Sequence, residues 1–184
     1  MKATGIVRRI DDLGRVVIPK EIRRTMRIRE GDPLEIYTDR EGEVIFKKYS
    51  PIGELASFAG QYAETLHKTC GLSVAICDRD TVIACAGISK REYSEKSLSE
   101  ALEKLMESRS FHAYNGDTEP ISIIRDGGSH TVSCAMPIIS EGDVVGCVVS
   151  AKPMEGDTAD RLAFDIEAKL IQTAAHFLGK QLES

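Results

Sequence analysis

The first fifty residues alternate short β-branched runs with turn signals, a pattern that is typical of small paired strands. Residues 6–7 and 16–18 are two such runs, and Asp11–Gly14 between them is a turn signal whose glycine tolerates positive φ. The pattern predicts two strands joined by a tight loop. Proline has the fixed φ of a first helical turn, so a short helix is expected from Pro19 to about Met26.

A second hairpin is predicted after this helix. Residues 34–37 and 43–46 alternate apolar and polar side chains, and Asp39–Gly42 supplies the turn. The resulting ββαββ unit, over residues 1–50, is too small to bury enough apolar surface alone. We therefore expect an interleaved dimer, in which two copies exchange hairpins and bury one another's apolar side chains: Ile6, Val16, Ile18, Ile22, Leu34, Ile36, Val44 and Phe46.

The rest of the chain predicts an α+β domain over residues 53–184, joined through a linker at residues 51–56 that runs into its first helix. Apolar residues recur at intervals of three and four from Gly53 to about Thr69, and again after a predicted N-cap at Asp157–Thr158. The pattern between these two helices predicts five mostly antiparallel strands, at residues 72–77, 81–86, 121–125, 131–139 and 144–151, and an inserted helix at residues 94–108.

Positive charge is concentrated near the amino terminus of a chain whose formal net charge is -5. Residues 1–29 hold nine Lys and Arg against three Asp and Glu, so they carry +6 and the other 155 residues carry -11. Such asymmetry indicates binding to nucleic acid or to an anionic surface. Arginine supplies most of this charge, and its planar guanidinium suits bidentate recognition of phosphate or guanine. A solvated, charged helix face is the alternative at this point.

The composition narrows the class of protein further. No apolar run approaches the roughly 18 residues that span a bilayer, and no signal segment opens the chain. We expect a cytoplasmic protein without a membrane partner. The four histidines lack the spacing of a metal site, so neither a metal nor a cofactor is expected. The five cysteines lack a CxxC pair and predict free thiols, with redox sensing by one of them as the alternative: Cys70, Cys77, Cys85, Cys134 and Cys147.

The N-terminal sequence resembles the AbrB-type swapped-hairpin DNA-binding domains of bacterial transition-state regulators. The similarity runs almost without gaps over residues 3–49 and includes the motif G-[RK]-[VI]-[VI]-I-P at Gly14–Pro19, part of which MazE-type antitoxins share together with the fold. The resemblance implies binding to double-stranded DNA through four arginines: Arg8, Arg15, Arg23 and Arg24. We add Arg9 and Lys20 to the candidate DNA-binding residues on their charge and position.

The order of elements after residue 53 is similar to that of GAF domains. This resemblance implies a small-molecule pocket between the sheet and the inserted segment, at about residues 88–115, and dimer contacts through the first and last helices. The candidate lining comes from strand residues that are equally suited to a plain core: Ile76, Ile83, Cys85, Cys134, Met136 and Val148. The ligand, if there is one, is left open.

These features together predict a DNA-binding transcription regulator whose C-terminal domain controls oligomerisation and senses a ligand. Contacts through both domains would give a homotetramer. The whole chain also resembles a family of regulators of endospore-forming bacteria, which implies activation and repression of sporulation genes inside the forespore. An antitoxin with a disordered tail and a GAF-type redox enzyme are the alternatives. No nucleophile and base occur at a recognisable spacing, so we expect no enzyme.

Overall fold

The structure is a computed structural model that describes residues 4–154 and 163–183. The chain divides into two compact units between Tyr49 and Ser50. Within the described ranges, no helix is both long and apolar enough to cross a membrane.

The N-terminal unit contains one short helix and one hairpin. Helix α1 spans Lys20–Thr25, directly after Pro19, and strands β1 (Leu34–Thr38) and β2 (Val44–Lys48) pair antiparallel. The predicted helix and the predicted second hairpin are therefore confirmed.

The first predicted hairpin does not form strands within one chain. Its loop is closed by two backbone hydrogen bonds, from Asp11 N–H to the Arg15 carbonyl (3.1 Å) and from Gly14 N–H to the Asp11 carbonyl (3.0 Å). Residues 6–7 and 16–18 on either side have no assigned strand structure. Two unsupported strands are only marginally stable, and here their apolar side chains have no core of their own chain to cover.

The turn after α1 is fastened to β2 by Lys48. The Lys48 ammonium donates to the Arg27 carbonyl (2.9 Å) and lies 3.4 Å from Oδ2 of Asp32. The same Asp32 oxygen accepts the Arg29 N–H at 2.8 Å, and the Asp32 side chain is only 3% exposed. A buried carboxylate that is paired and hydrogen-bonded in this way fixes the position of the turn.

The C-terminal unit is built on a five-stranded antiparallel sheet with the order β4-β3-β7-β6-β5. The strands are β3 (Ser73–Cys77), β4 (Val82–Ala86), β5 (His112–Ala113), β6 (His130–Ser140) and β7 (Asp143–Pro153). The helices are α2 (Pro51–Glu54), α3 (Ala56–Cys70), α4 (Lys90–Tyr93), α5 (Glu100–Glu107) and α6 (Phe164–Leu182).

Both faces of this sheet are buried. One face, the helix-covered face, packs Val74, Ile138 and Val148 against buried residues of α2, α3 and α6. The opposite face, the insert-covered face, packs Ala75 and Val149 against α4, α5 and the segment that leads to β6. The predicted α+β architecture is confirmed.

Two elements predicted between β4 and β6 differ in the structure: one is shortened and the other is not a strand. The helix predicted at residues 94–108 forms only in its second half, as α5, because Ser94 is extended, Glu95 has a positive φ of 62° and Leu98 bridges to Ile124. Helix α4 lies just before the predicted range. The strand predicted at residues 121–125 is reduced to isolated bridges. The edge strand is instead β5, whose two residues are too few to produce an alternating pattern.

The first and last helices differ in detail from their predicted bounds. The first begins at Pro51, where the Ser50 hydroxyl accepts the Gly53 N–H at 3.1 Å, and it is interrupted at Leu55 before α3 begins. The predicted N-cap of the last helix, Asp157–Thr158, lies outside the described residues.

Candidate nucleic-acid interface

The six candidate DNA-binding residues all lie exposed in the N-terminal unit. Two precede the first loop, one ends it, and three lie on α1: Arg8, Arg9, Arg15, Lys20, Arg23 and Arg24. Exposure is the minimum that contact with a phosphate backbone requires.

Hydrogen bonds hold both ends of helix α1, which carries three of the candidate cations. Its N-terminus rests on Pro19, which is buried and whose carbonyl accepts the Arg23 N–H at 2.9 Å. Beyond the C-terminus, Ile28 N–H donates back to the Arg23 carbonyl at 2.8 Å, and Arg27 adopts a positive φ of 52°. The backbone that carries Arg23 and Arg24 is thus held at both ends, while their side chains remain exposed.

Arg15 differs from the other five cations because it forms an ion pair. Its Nε donates to Oδ2 of Asp11 at 2.7 Å, and its backbone N–H donates to Oδ1 of the same carboxylate at 2.8 Å. These hydrogen bonds lower the pKa of Asp11 from its ordinary value. Among the described residues, no ion pair is found for Arg8, Arg9, Lys20, Arg23 or Arg24.

Asp11 is the residue that sequence reasoning missed at this surface. The sequence identified Asp11 only as part of a turn signal. The available signal was its spacing, because a carboxylate at the start of a tight loop and an arginine at its end are brought together when the loop closes.

The candidate ligand-pocket residues do not share one face. Only Cys85 lies on the insert-covered face. The other five lie on or pack against the helix-covered face: Ile76, Ile83, Cys134, Met136 and Val148. A pocket between the sheet and the inserted segment would therefore not be lined by the predicted set.

The cysteines are free thiols in the structure, and four of them are buried. Burial raises the pKa of Cys77, Cys85 and Cys147 above the ordinary thiol value. The Cys134 thiol donates to Oε1 of the buried Glu167 at 3.9 Å. Within the part of the chain that the structure describes, no group of three or more His, Cys, Asp and Glu side chains could hold a metal ion.

Two family models match the chain. The C-terminal, transcription-factor region of stage V sporulation protein T matches residues 54–183. The model of MazE, a bacterial antitoxin that recognises its toxin, matches residues 7–53. The antitoxin alternative predicted a disordered tail, whereas residues 50–154 and 163–183 form a folded unit that matches the first model.

Known relatives match either the whole chain or its N-terminal unit alone. Stage V sporulation protein T of Bacillus subtilis is 53% identical over 187 residues, which cover 100% of this chain and 99% of the relative. Transition state regulatory protein AbrB of the same organism is 65% identical over 51 residues, 28% of this chain and 52% of AbrB. The cyanobacteriochrome receptor PixJ shares only the fold, with a TM-score of 0.50, 13% identity and coverage of 73% of this chain and 98% of PixJ.

An AbrB-like DNA-recognition unit followed by a GAF-like domain defines a transcription regulator. The chain belongs to the stage V sporulation protein T family.

Proposed function

We propose that this protein dimerises by exchange of its N-terminal hairpins, binds double-stranded DNA, and both activates and represses sporulation genes in the cytoplasm of the forespore. The observation that carries the proposal is the missing core of the N-terminal unit. Among residues 4–49, Pro19 is the only apolar residue that is buried.

Five of the eight apolar side chains that hairpin exchange is expected to cover are exposed. Ile6, Val16 and Phe46 are 40–42% exposed, while Ile36 and Val44 are 60% and 58% exposed. Each fully buried aliphatic or aromatic side chain of this size contributes about 1.5–3 kcal/mol relative to an exposed one. A second copy is therefore the simplest source of the missing core, and the exchange would add a second set of the same cations.

The exposed cations support a DNA contact that depends strongly on salt. If the dimer neutralises about eight phosphates, the logarithm of its affinity falls with the logarithm of salt concentration at a slope of about -7. The short α1 is not a long recognition helix, so DNA shape and base-edge contacts by arginine would share the sequence selectivity.

The test compares two exposed arginines of the N-terminal unit. Duplexes are selected from a random pool with the full-length protein, and the affinity of Arg23→Ala for them is measured across a salt series. We expect a loss of at least tenfold and a salt slope shallower by about 2 for the dimer, with an unchanged circular dichroism spectrum. Arg40→Ala, in the β1–β2 turn and outside the candidate set, is the control. Equal losses in both variants, or failure of the wild-type protein to retain any duplex, would contradict the proposal.

We also propose a tetramer, assembled through the C-terminal helices. Phe58 and Tyr62 of α3 and Phe177 of α6 form an aromatic row, with ring centroids 5.6–6.5 Å apart. Phe177 is 40% exposed, and Ile166 on the same helix is 47% exposed. An apolar helix face of this kind fits the surface of a second copy.

A small-molecule effector of the GAF-like domain stays a prediction. Native mass spectrometry of the purified protein reports the number of subunits and any retained small molecule together. The redox alternative finds no support in the buried thiols, because raised thiol pKa values reduce the thiolate that such chemistry needs.

A further inference from the structure

The Asp11 side chain organises the whole first loop. Its Oδ1 accepts the backbone N–H of Leu13 at 3.0 Å and that of Arg15 at 2.8 Å, and its Oδ2 accepts Nε of the Arg15 guanidinium at 2.7 Å. One carboxylate therefore holds the loop backbone with one oxygen and the arginine side chain with the other. The guanidinium is oriented relative to the backbone that carries it.

This arrangement leaves a defined part of Arg15 for a ligand. Nε is occupied by Asp11, and the two terminal amino groups point their donors away from that bond as a rigid pair. Two parallel donors match the O6 and N7 acceptors that guanine presents in the major groove. A guanidinium that is already oriented also loses less side-chain freedom when it binds.

The other candidate arginines are not prepared in this way. In the described residues Arg8 has only a long contact of 3.4 Å from a terminal amino group to the Val7 carbonyl, and no side-chain hydrogen bond is found for Arg9, Arg23 or Arg24. Exposed cations that no hydrogen bond orients suit phosphates, because a phosphate contact needs charge and little geometry. Arg15, whose charge is offset by Asp11, contributes less net positive charge than the other arginines, but its terminal donors have a defined orientation.

We propose that Asp11 is a positioning residue for sequence recognition: it aims Arg15 at the edge of a guanine, whereas the unpaired arginines supply affinity through phosphates. This inference rests on the proposed DNA-binding function and assigns different tasks to cations within it.

The test measures discrimination rather than affinity alone. Full-length wild-type protein first selects its preferred duplexes from a random pool, and each variant is then titrated against a selected duplex and a scrambled one over a salt series. Asp11→Asn keeps an oxygen for the Leu13 and Arg15 N–H groups but cannot accept from Nε of Arg15. We expect its ratio of selected to scrambled affinity to fall at least tenfold, while its affinity for the scrambled duplex is equal to or above that of wild type.

Asp12→Asn is the matched control, because it removes the same charge one residue away, from a side chain with no hydrogen bond among the described residues. It should leave the ratio unchanged. Arg15→Lys keeps the charge without the paired donors, and should lose discrimination to the same extent with no further loss when combined with Asp11→Asn. This variant tests the idea independently should Asp11→Asn fail to fold by circular dichroism.

Two results would overturn the inference while leaving the proposed function intact: an unchanged ratio in Asp11→Asn or Arg15→Lys, or an equal loss in Asp12→Asn. Absence of duplex binding by the wild-type protein is a different result, because it would remove the proposed function itself.

Discussion

A single buried carboxylate, Asp32, connects the stability of the N-terminal unit to the position of its charged helix. Lys48 is basic and lies close in sequence to the exposed Lys47, yet it points at Asp32 and the Arg27 carbonyl rather than into solvent. Charge alone therefore does not make Lys48 a DNA contact. The arginines of α1 depend on it indirectly, through the turn that follows them.

We predict that Lys48→Met loosens this turn. Removing the ammonium leaves the Asp32 carboxylate with a lost partner in a buried position, which costs about 1–3 kcal/mol. Hydrogen exchange at the α1 and β2 amides of the full-length protein should accelerate accordingly. Lys47→Met is the control, since that side chain is exposed, and its amides should exchange at the wild-type rate. Unaltered exchange in Lys48→Met would show that the turn is held by other contacts.

At the scale of elements, a glycine sets how closely α6 approaches the sheet. A Cβ added at Gly179 would lie 2.3 Å from the carbonyl oxygen of Ile139 on β6. A backbone atom cannot move aside as a flexible side chain can, so the helix itself would have to shift away from the sheet. The absence of a side chain at Gly179 therefore allows α6 to pack closely against the helix-covered face of the sheet.

We predict opposite effects for two helical glycines. Gly179→Ala should destabilise the C-terminal unit by about 2 kcal/mol or more, because it forces overpacking between α6 and β6. Gly60→Ala in α3 meets no atom within 4 Å and should stabilise it by about 0.5–1 kcal/mol, because alanine favours helix. Urea denaturation followed by far-ultraviolet circular dichroism measures both. Stability of Gly179→Ala at or above wild type would refute the close approach.

The sequence predicts where the long strands lie, but it does not predict which of their residues face which side of the sheet. Long apolar runs predicted β6 and β7 within about two residues, yet a sheet buried on both sides is apolar at every position, so the pattern cannot say which residue faces which layer. A bulge after Val132 adds to this, because it places Val132 on the insert-covered face and Cys134 on the opposite one. The misplaced pocket residues follow from both causes.

The N-terminal strands could not be confirmed in one chain for a different reason. Residues 6–7 and 16–18 have β propensity, but paired strands also need a surface to cover. That surface is absent from residues 4–49 of a single copy, where Pro19 is the only buried apolar residue. The pattern at residues 6–7 and 16–18 is therefore interpreted as strand pairing within the proposed dimer, where a second copy supplies that surface.

At the scale of the whole molecule, two units that each dimerise, as proposed, would produce a larger assembly than either unit alone. If the N-terminal hairpins pair two chains and the α3 and α6 surfaces pair them again with others, the closed product is a tetramer with two DNA-binding dimers. The second dimer then meets a neighbouring site on the same duplex at a high effective concentration, and binding becomes cooperative without any new protein–DNA contact.

We predict that Phe177→Asp converts the proposed tetramer to a dimer. A carboxylate in the aromatic row would have to be desolvated at the interface, which costs more than the contact returns. Sedimentation at micromolar concentration should show half the wild-type mass, with retained binding to a single site and lost cooperativity on a duplex with two sites. His176→Asp, the neighbouring exposed residue of α6, introduces the same charge outside the row and should leave the mass unchanged. A wild-type mass for Phe177→Asp would place the second interface elsewhere. A wild-type protein that sediments as a monomer would exclude both interfaces, because no second copy would then cover the exposed apolar side chains of the N-terminal unit.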